Sequence, residues 1–150
     1  LNKILSASAE LFSQYGFKTI TMDDIARRAG ISKKTLYQHF ANKQEVVQES
    51  VVWYKNNTSA SCEMVLQDSD NAIEAMVKML AFFDKMNKRI NPMALYELQR
   101  FYPDAYKTFR DLLMERDVEM MRENILQGIE EGLYRKDINA GLLARYRLET

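Results

Sequence analysis

Lys33, Lys34, Thr35, Gln38 and His39 crowd into one short stretch around the apolar Leu36 and just ahead of Phe40. Ammonium groups bind phosphates, while a threonine hydroxyl and a glutamine amide can hydrogen-bond to base edges. On a helix, Leu36 and Phe40 lie one turn apart on the same side. The polar residues are then left facing outward, in position to enter a major groove. Tyr37 is ambiguous, because its ring can pack while its hydroxyl reaches a phosphate. Lys43, opening the next helix, is placed as a phosphate anchor. The same residues also describe the solvated face of a small helical bundle, which is the competing reading.

Catalytic chemistry finds little to work with. His39 is the sole histidine and Cys62 the sole cysteine, so neither a Ser-His-Asp arrangement nor an activated thiol can be assembled away from the polar helix. No Gly-rich phosphate loop is visible, and no second His or Cys stands at metal-ligand spacing from His39. The carboxylates sit among lysines and arginines at helical spacing, as on a solvated face. Neither an enzyme nor a cofactor or metal is expected. His39 fits a capping or phosphate-facing role.

The polar helix has to be held by others. Ile4, Leu5, Leu11, Phe12 and Tyr15 share a face at helical spacing, and Gly16 is placed to end that first helix. Thr21 and Asp24 form a capping-box pair that opens a second helix over about 22–29, closed by Gly30. Ser32 caps a third helix over about 33–40. Gly30 supplies the backbone freedom for a sharp turn, and Ile31 plugs the angle between the two helices. Asn42 and Glu45 open a fourth helix, expected to run to around Ser59. A fifth covers about 72–87, with Ile73, Met76, Val77, Leu80 and Phe83 predicted inward. Asn91-Pro92 and Tyr102-Pro103 mark new helix starts. A short helix over 93–101 and a long one over about 104–131 follow, with Gly132 as a stop and a last helix beginning over 137–141. Few breakers (five Gly, two Pro) agree with an all-α chain.

The segment Ile4-Leu5, Ala7, Leu11-Phe12, Gly16-Phe17, Thr19, Thr21, Ile25-Ala26, Ala29-Gly30-Ile31-Ser32, Thr35-Leu36-Tyr37, His39-Phe40 and Lys43 resembles the N-terminal domain of TetR/AcrR transcriptional regulators. The match spans roughly residues 3–47. It implies a three-helix helix-turn-helix domain over 1–45. A long fourth helix would join it to a helical ligand-binding and dimerisation domain over 46–150. It further implies that Lys33, Lys34, Thr35 and Gln38 face base edges or nearby phosphates. Thr21, Tyr37, His39 and Lys43 would hold the DNA backbone. Lys34 departs from the small residue the family often has there, which points to recognition leaning more on charge. Gln44 replaces the usual Glu, a minor change.

The resemblance also implies a ligand-responsive repressor that binds a palindromic DNA operator as a homodimer and is released by a small apolar effector. The candidate effector lining is Met76, Met79, Phe83, Tyr96, Phe109, Leu113 and Met120, with Trp53 and Tyr54 at its edge. Methionine is adaptable and suits such a pocket, although Met and aromatic residues at helical spacing are more often plain core. Tyr96, Tyr102 and Tyr106 are possible sources of hydroxyls. The alternative function is a helical protein-interaction module with no DNA target.

Net charge is zero; residues 1–50 carry seven Lys/Arg against five Asp/Glu, and the remainder fourteen against sixteen. That split is a weak pointer to nucleic acid, but a local basic patch suffices for phosphate binding. A lone cysteine allows no internal disulfide. No signal peptide and no apolar run of membrane-spanning length is visible, so the cytoplasm is the expected compartment. Leu1 and the segment after Arg145 both fall inside amphipathic patterns, so both ends read as truncated, the dimer bundle included.

Overall fold

The computed structural model describes residues 1–149, and among them every regular element is helical. In chain order these are α1 (Asn2–Tyr15), α2 (Met22–Ala29), α3 (Lys33–His39), α4 (Lys43–Gln67), α5 (Ala72–Arg89), α6 (Pro92–Phe101), α7 (Pro103–Leu112), α8 (Glu119–Glu130) and α9 (Ala140–Glu149). A π-helical stretch, Leu113–Val118, links α7 to α8 without a break. They form two compact units that do not follow chain order. The first comprises residues 1–56 with 87–110, and the second 57–86 with 111 onward.

Local signals set most boundaries. Thr21 Oγ1 accepts from the Asp24 N–H, and the Asp24 carboxylate accepts from the Thr21 N–H at 2.9 Å, so the α2 capping box is closed at both ends. Gly30 adopts φ +70°, ψ +32°, the left-handed turn that separates α2 from α3. Asn91 caps α6, with its Oδ1 accepting from the Met93 N–H and Pro92 in the first turn. At α4 the arrangement is offset. Asn42 Oδ1 accepts from the Glu45 N–H, but the Glu45 carboxylate takes the N–H of Ala41.

In the first unit, Phe12, Ile25, Leu36, Val46 and Val47 are essentially sealed from solvent. Burial of each such side chain contributes about 1.5–3 kcal/mol. α1 packs against both α2 and α6, and α2 against α3. The second unit is centred on Cys62, Met79, Met121, Ile125 and Ala144. Its polar clasp is the Ala72 carbonyl, which accepts from Asn124 Nδ2 at 3.0 Å and from the Tyr134 hydroxyl at 3.2 Å.

Two expectations are corrected here. α4 does not stop near Ser59; it continues to Gln67. Ser59 and Cys62 are buried, and a helix interior tolerates small polar residues that find partners, as Ser59 does with Asp117. The buried face of α5 is also not the predicted one. Ala72, Ala75 and Met79 face the core, while Ile73, Val77 and Leu80 are exposed. Small alanines let the helix approach closely enough for the Ala72 carbonyl to meet Asn124 and Tyr134.

Candidate nucleic-acid interface

The interface is built on the rigid back of α3. Leu36 is fully buried and Phe40, just past the helix, is 4% exposed, so the helix cannot roll. Ser32 Oγ accepts from the Thr35 N–H at 3.1 Å and lies 2.9 Å from the Thr35 hydroxyl, fixing the first turn. Lys33, Lys34, Tyr37, Gln38 and His39 are all exposed on the opposite side, and Thr35 is half-buried at its edge. Lys33 Nζ sits 3.3 Å from Asp23 Oδ1, an exposed pair that contributes little stability. Among the described residues Lys34 makes no ion pair, so it is the freer of the two for a phosphate.

Thr21 stands at the start of α2, but its hydroxyl is already shared with Asp24 at 2.9 Å. Hydrogen bonds from Thr21, backbone first, hold the Asp24 carboxyl below the usual carboxylate range. A contact from Thr21 to a DNA phosphate must therefore share this bond or use the N–H groups of the α2 first turn.

Lys43 is turned inward. Its ammonium donates to the Phe17 carbonyl and lies 5.9 Å from the centre of the Tyr102 ring. Burial pulls the ammonium below the usual lysine range, opposed by the carboxylates of Glu97 and Asp24. The side chain thus braces the loop between α1 and α2, and any DNA contact from this position falls more naturally to its backbone N–H.

Glu97 of α6, which sequence reasoning missed, fixes the same loop, and Asn91, legible only as the α6 cap, ties the end of α1. The Glu97 carboxylate accepts from the N–H groups of Phe17 and Lys18 at 2.7 and 2.8 Å. Gly16 precedes them with φ +84°, ψ −176°, a conformation essentially restricted to glycine. A β-carbon there would stand 2.7 Å from the Glu97 carboxylate. Asn91 donates through its backbone to the Ser13 carbonyl at 2.7 Å and through Nδ2 to the Gln14 carbonyl at 3.3 Å. The C-terminal end of α1 is therefore tied at two points to Asn91, the cap of α6. No local signal marks Glu97, since its partners lie 79 and 80 residues away.

The effector candidates separate into two groups. Tyr54 and Phe109 line a cavity of about 420 Å³ in the first unit, and Trp53 packs on the same core. Tyr96 is exposed. In the second unit Met79 and Met120 are buried, Phe83 packs against them, and Met76 lines a separate cavity of about 250 Å³. Leu113 opens the π-helical stretch. Among the described residues no cluster of His, Cys, Asp and Glu is able to hold a metal ion. No helix among those residues is long and apolar enough to cross a membrane.

Comparison with known proteins meets this geometry. The family model for bacterial regulatory proteins, tetR family, matches residues 4–49. The chain is 27% identical over 151 aligned positions to the HTH-type transcriptional repressor KstR2 of Mycobacterium tuberculosis, covering 99% of this chain and 76% of that protein. Its fold is similar to that of the fatty acid degradation regulator FadR from Bacillus halodurans, with a TM-score of 0.77 at 15% identity, covering 98% of this chain and 77% of that one. It is equally similar to FadR from Bacillus subtilis, solved in complex with stearoyl-CoA, with a TM-score of 0.75 at 16% identity, covering 96% of this chain and 78% of that one. These relatives are transcriptional regulators, not enzymes. With the helix-turn-helix assembled as described and this match laid over it, residues 4–49 are similar to the DNA-binding domain of bacterial regulatory proteins of the tetR family.

Proposed function

We propose that the protein is a cytoplasmic, ligand-responsive transcriptional repressor that binds a palindromic operator as a homodimer and has no enzymatic activity. The observation that carries the proposal is α3: an exposed row of Lys33, Lys34, Tyr37, Gln38 and His39 on a helix whose other side is locked by Leu36. One such helix reads only a half-site, so high affinity calls for a second copy. The effector half of the reading is supported by the stearoyl-CoA complex of the B. subtilis fold relative, and by the apolar cavities in this chain. An interaction module without a DNA target is disfavoured by the same face, which offers Tyr37 as its one large apolar group among lysines and amides.

The test is binding of the full-length protein to duplexes selected from a random pool, at two salt concentrations. Affinity is expected to fall steeply with salt. Lys34→Ala is expected to lower affinity on all duplexes and to reduce the salt slope by about one. Thr35→Ala is expected to change which duplexes are preferred, at about 1–3 kcal/mol for the position it reads. Lys43→Ala is expected to weaken every duplex alike, because it loosens the brace under the loop. Binding that ignores salt, or no selected duplex at all, sinks the DNA reading. Identical losses on all duplexes for Lys34→Ala and Thr35→Ala would overturn the division between phosphate and base contacts.

A further inference from the structure

The 420 Å³ cavity of the first unit has a feature that its surroundings do not satisfy. Ser50, on α4, is 2% exposed and lines it, and the Ser50 hydroxyl has no hydrogen-bond partner. Helical serines ordinarily bond back to the carbonyl one turn earlier. Ser8 and Ser13 of α1 do so here, to Ile4 at 2.7 Å and Ala9 at 2.6 Å. Ser50 does not, and a buried hydroxyl left unpaired is unfavourable.

The remaining wall shows what such a hydroxyl can meet. Phe12, Val51, Ala94 and Leu98 supply apolar surface, and no charged side chain lines the space. The Asn91 amide is already spent on Gln14 and Met93. An ionised ligand would lose its hydration without gaining a counter-charge. Ser13, Tyr54 and Asn87 also line the space, but apolar side chains make up most of its wall. The volume lies within the range of about 300–1,000 Å³ usual for ligand sites, and well above the roughly 150 Å³ that accepts benzene.

The position matters as much as the chemistry. One wall is α1, through Ala9, Phe12 and Ser13, and the facing wall is α6, through Ala94 and Leu98. These are the two helices clasped at Asn91 and Glu97. A guest between them changes the spacing that these clasps hold, and α1 carries α2 and, through it, α3.

We propose that this cavity is a binding site for a neutral, largely apolar small molecule with one carbonyl or hydroxyl group that pairs with Ser50, and that its occupancy alters DNA affinity by shifting α1 against α6. The regulatory half rests on the DNA-binding reading above; the binding half does not.

The probe is 6-propionyl-2-(dimethylamino)naphthalene, a neutral fluorophore with a single carbonyl acceptor, added to the full-length protein. Wild type is expected to give a saturable blue shift in emission. Ser50→Ala is expected to weaken binding about three- to tenfold, the size of one lost hydrogen bond. Ser50→Leu fills the cavity and is expected to abolish the saturable shift while the thermal midpoint stays at or above that of wild type. Val77→Ala, on the exposed face of α5 in the second unit, is expected to bind as wild type does. No saturable binding to wild type, or undiminished binding to a folded Ser50→Leu, overturns the site. Saturable binding of the anionic 1-anilinonaphthalene-8-sulfonate that Ser50→Leu removes overturns the neutral class.

For regulation, saturating probe is expected to weaken binding of wild type to selected duplexes and to leave Ser50→Leu unaffected. If both proteins hold the duplexes and the probe changes neither, the regulatory half fails while the DNA reading stands. If neither binds any duplex, the regulatory half falls with the DNA reading, and the fluorescence titration alone judges the site.

Discussion

Glu97→Ala is expected to lower the thermal midpoint of the protein by about 5–10 °C and to weaken DNA binding on every duplex, although Glu97 lies outside the helix-turn-helix segment. Among the described residues, the Glu97 carboxylate is the side chain that accepts from the Phe17 and Lys18 N–H groups, at 2.7 and 2.8 Å. Removing it leaves the buried Phe17 amide without an acceptor and the exposed Lys18 amide to water. Losing a hydrogen bond to a charged group costs about 1.5–3 kcal/mol, and stranding a buried donor costs about 1–3 kcal/mol. The two overlap at Phe17, so the net cost is roughly 2–3 kcal/mol, and in a chain of this size each kcal/mol moves the midpoint by about 2–4 °C.

Gly16 cannot relax to compensate, because its backbone is already in a region that other residues avoid. The Lys43 ammonium, which donates to the Phe17 carbonyl, loses a neighbouring carboxylate at the same moment. The loop that sets the start of α2 is then held from one side only. Glu97→Gln, which keeps an acceptor oxygen but loses the charge, is expected to show roughly half the stability loss. Differential scanning calorimetry with duplex titrations checks both variants. A Glu97→Ala protein with a wild-type midpoint and wild-type affinity would falsify the role given to this clasp.

The contrast between Glu97 and α3 explains what the sequence disclosed and what it hid. Thr21 with Asp24, Ser32 with Thr35, and Asn91 with Pro92 were legible because each cap closes within a few residues, so spacing alone carries the information. The outward face of α3 was legible for the same reason: Leu36 and Phe40 fix its phase. Lys43 was legible as a position but not in its direction, since the Phe17 carbonyl that captures it lies 26 residues back. The face of α5 misled because the hydrophobic stripe Ile73, Val77 and Leu80 outweighs Ala72 and Ala75 in apolar character, while close packing selects the small residues. Ser50 and Glu97 carried no signal. An unpaired serine looks like any helical serine until the helices around it leave a cavity, and a carboxylate that caps a distant loop looks like a solvated one.

The same logic of close approach yields the strongest stability prediction, and it runs against helix propensity. Gly128 lies inside α8, where replacing glycine by alanine ordinarily stabilises a helix by about 0.8–1.0 kcal/mol. Here the ring of Tyr134 lies directly over it, and a β-carbon at Gly128 would stand 2.1 Å from the ring. The ring cannot simply swing aside. The Tyr134 hydroxyl is bound to the Ala72 carbonyl and to Asn124 Oδ1, both at 3.2 Å, and the Tyr134 N–H donates to the Gly128 carbonyl at 3.0 Å. Displacing it breaks the polar clasp that fixes the start of α5 and leaves the buried Asn124 with one partner fewer.

Overpacking of this kind costs about 1–3 kcal/mol, and each displaced hydrogen bond adds about 0.5–1.5 kcal/mol. Gly128→Ala is therefore expected to destabilise the protein by a net 2–4 kcal/mol or so, once the gain in helix propensity is deducted. The double variant Gly128→Ala with Tyr134→Ala should recover part of that loss relative to Tyr134→Ala alone, because the clash is gone and the helix preference remains. Urea unfolding of the four proteins measures the coupling. If Gly128→Ala alone proves more stable than wild type, the packing of Tyr134 on α8 is not what holds this end of the second unit.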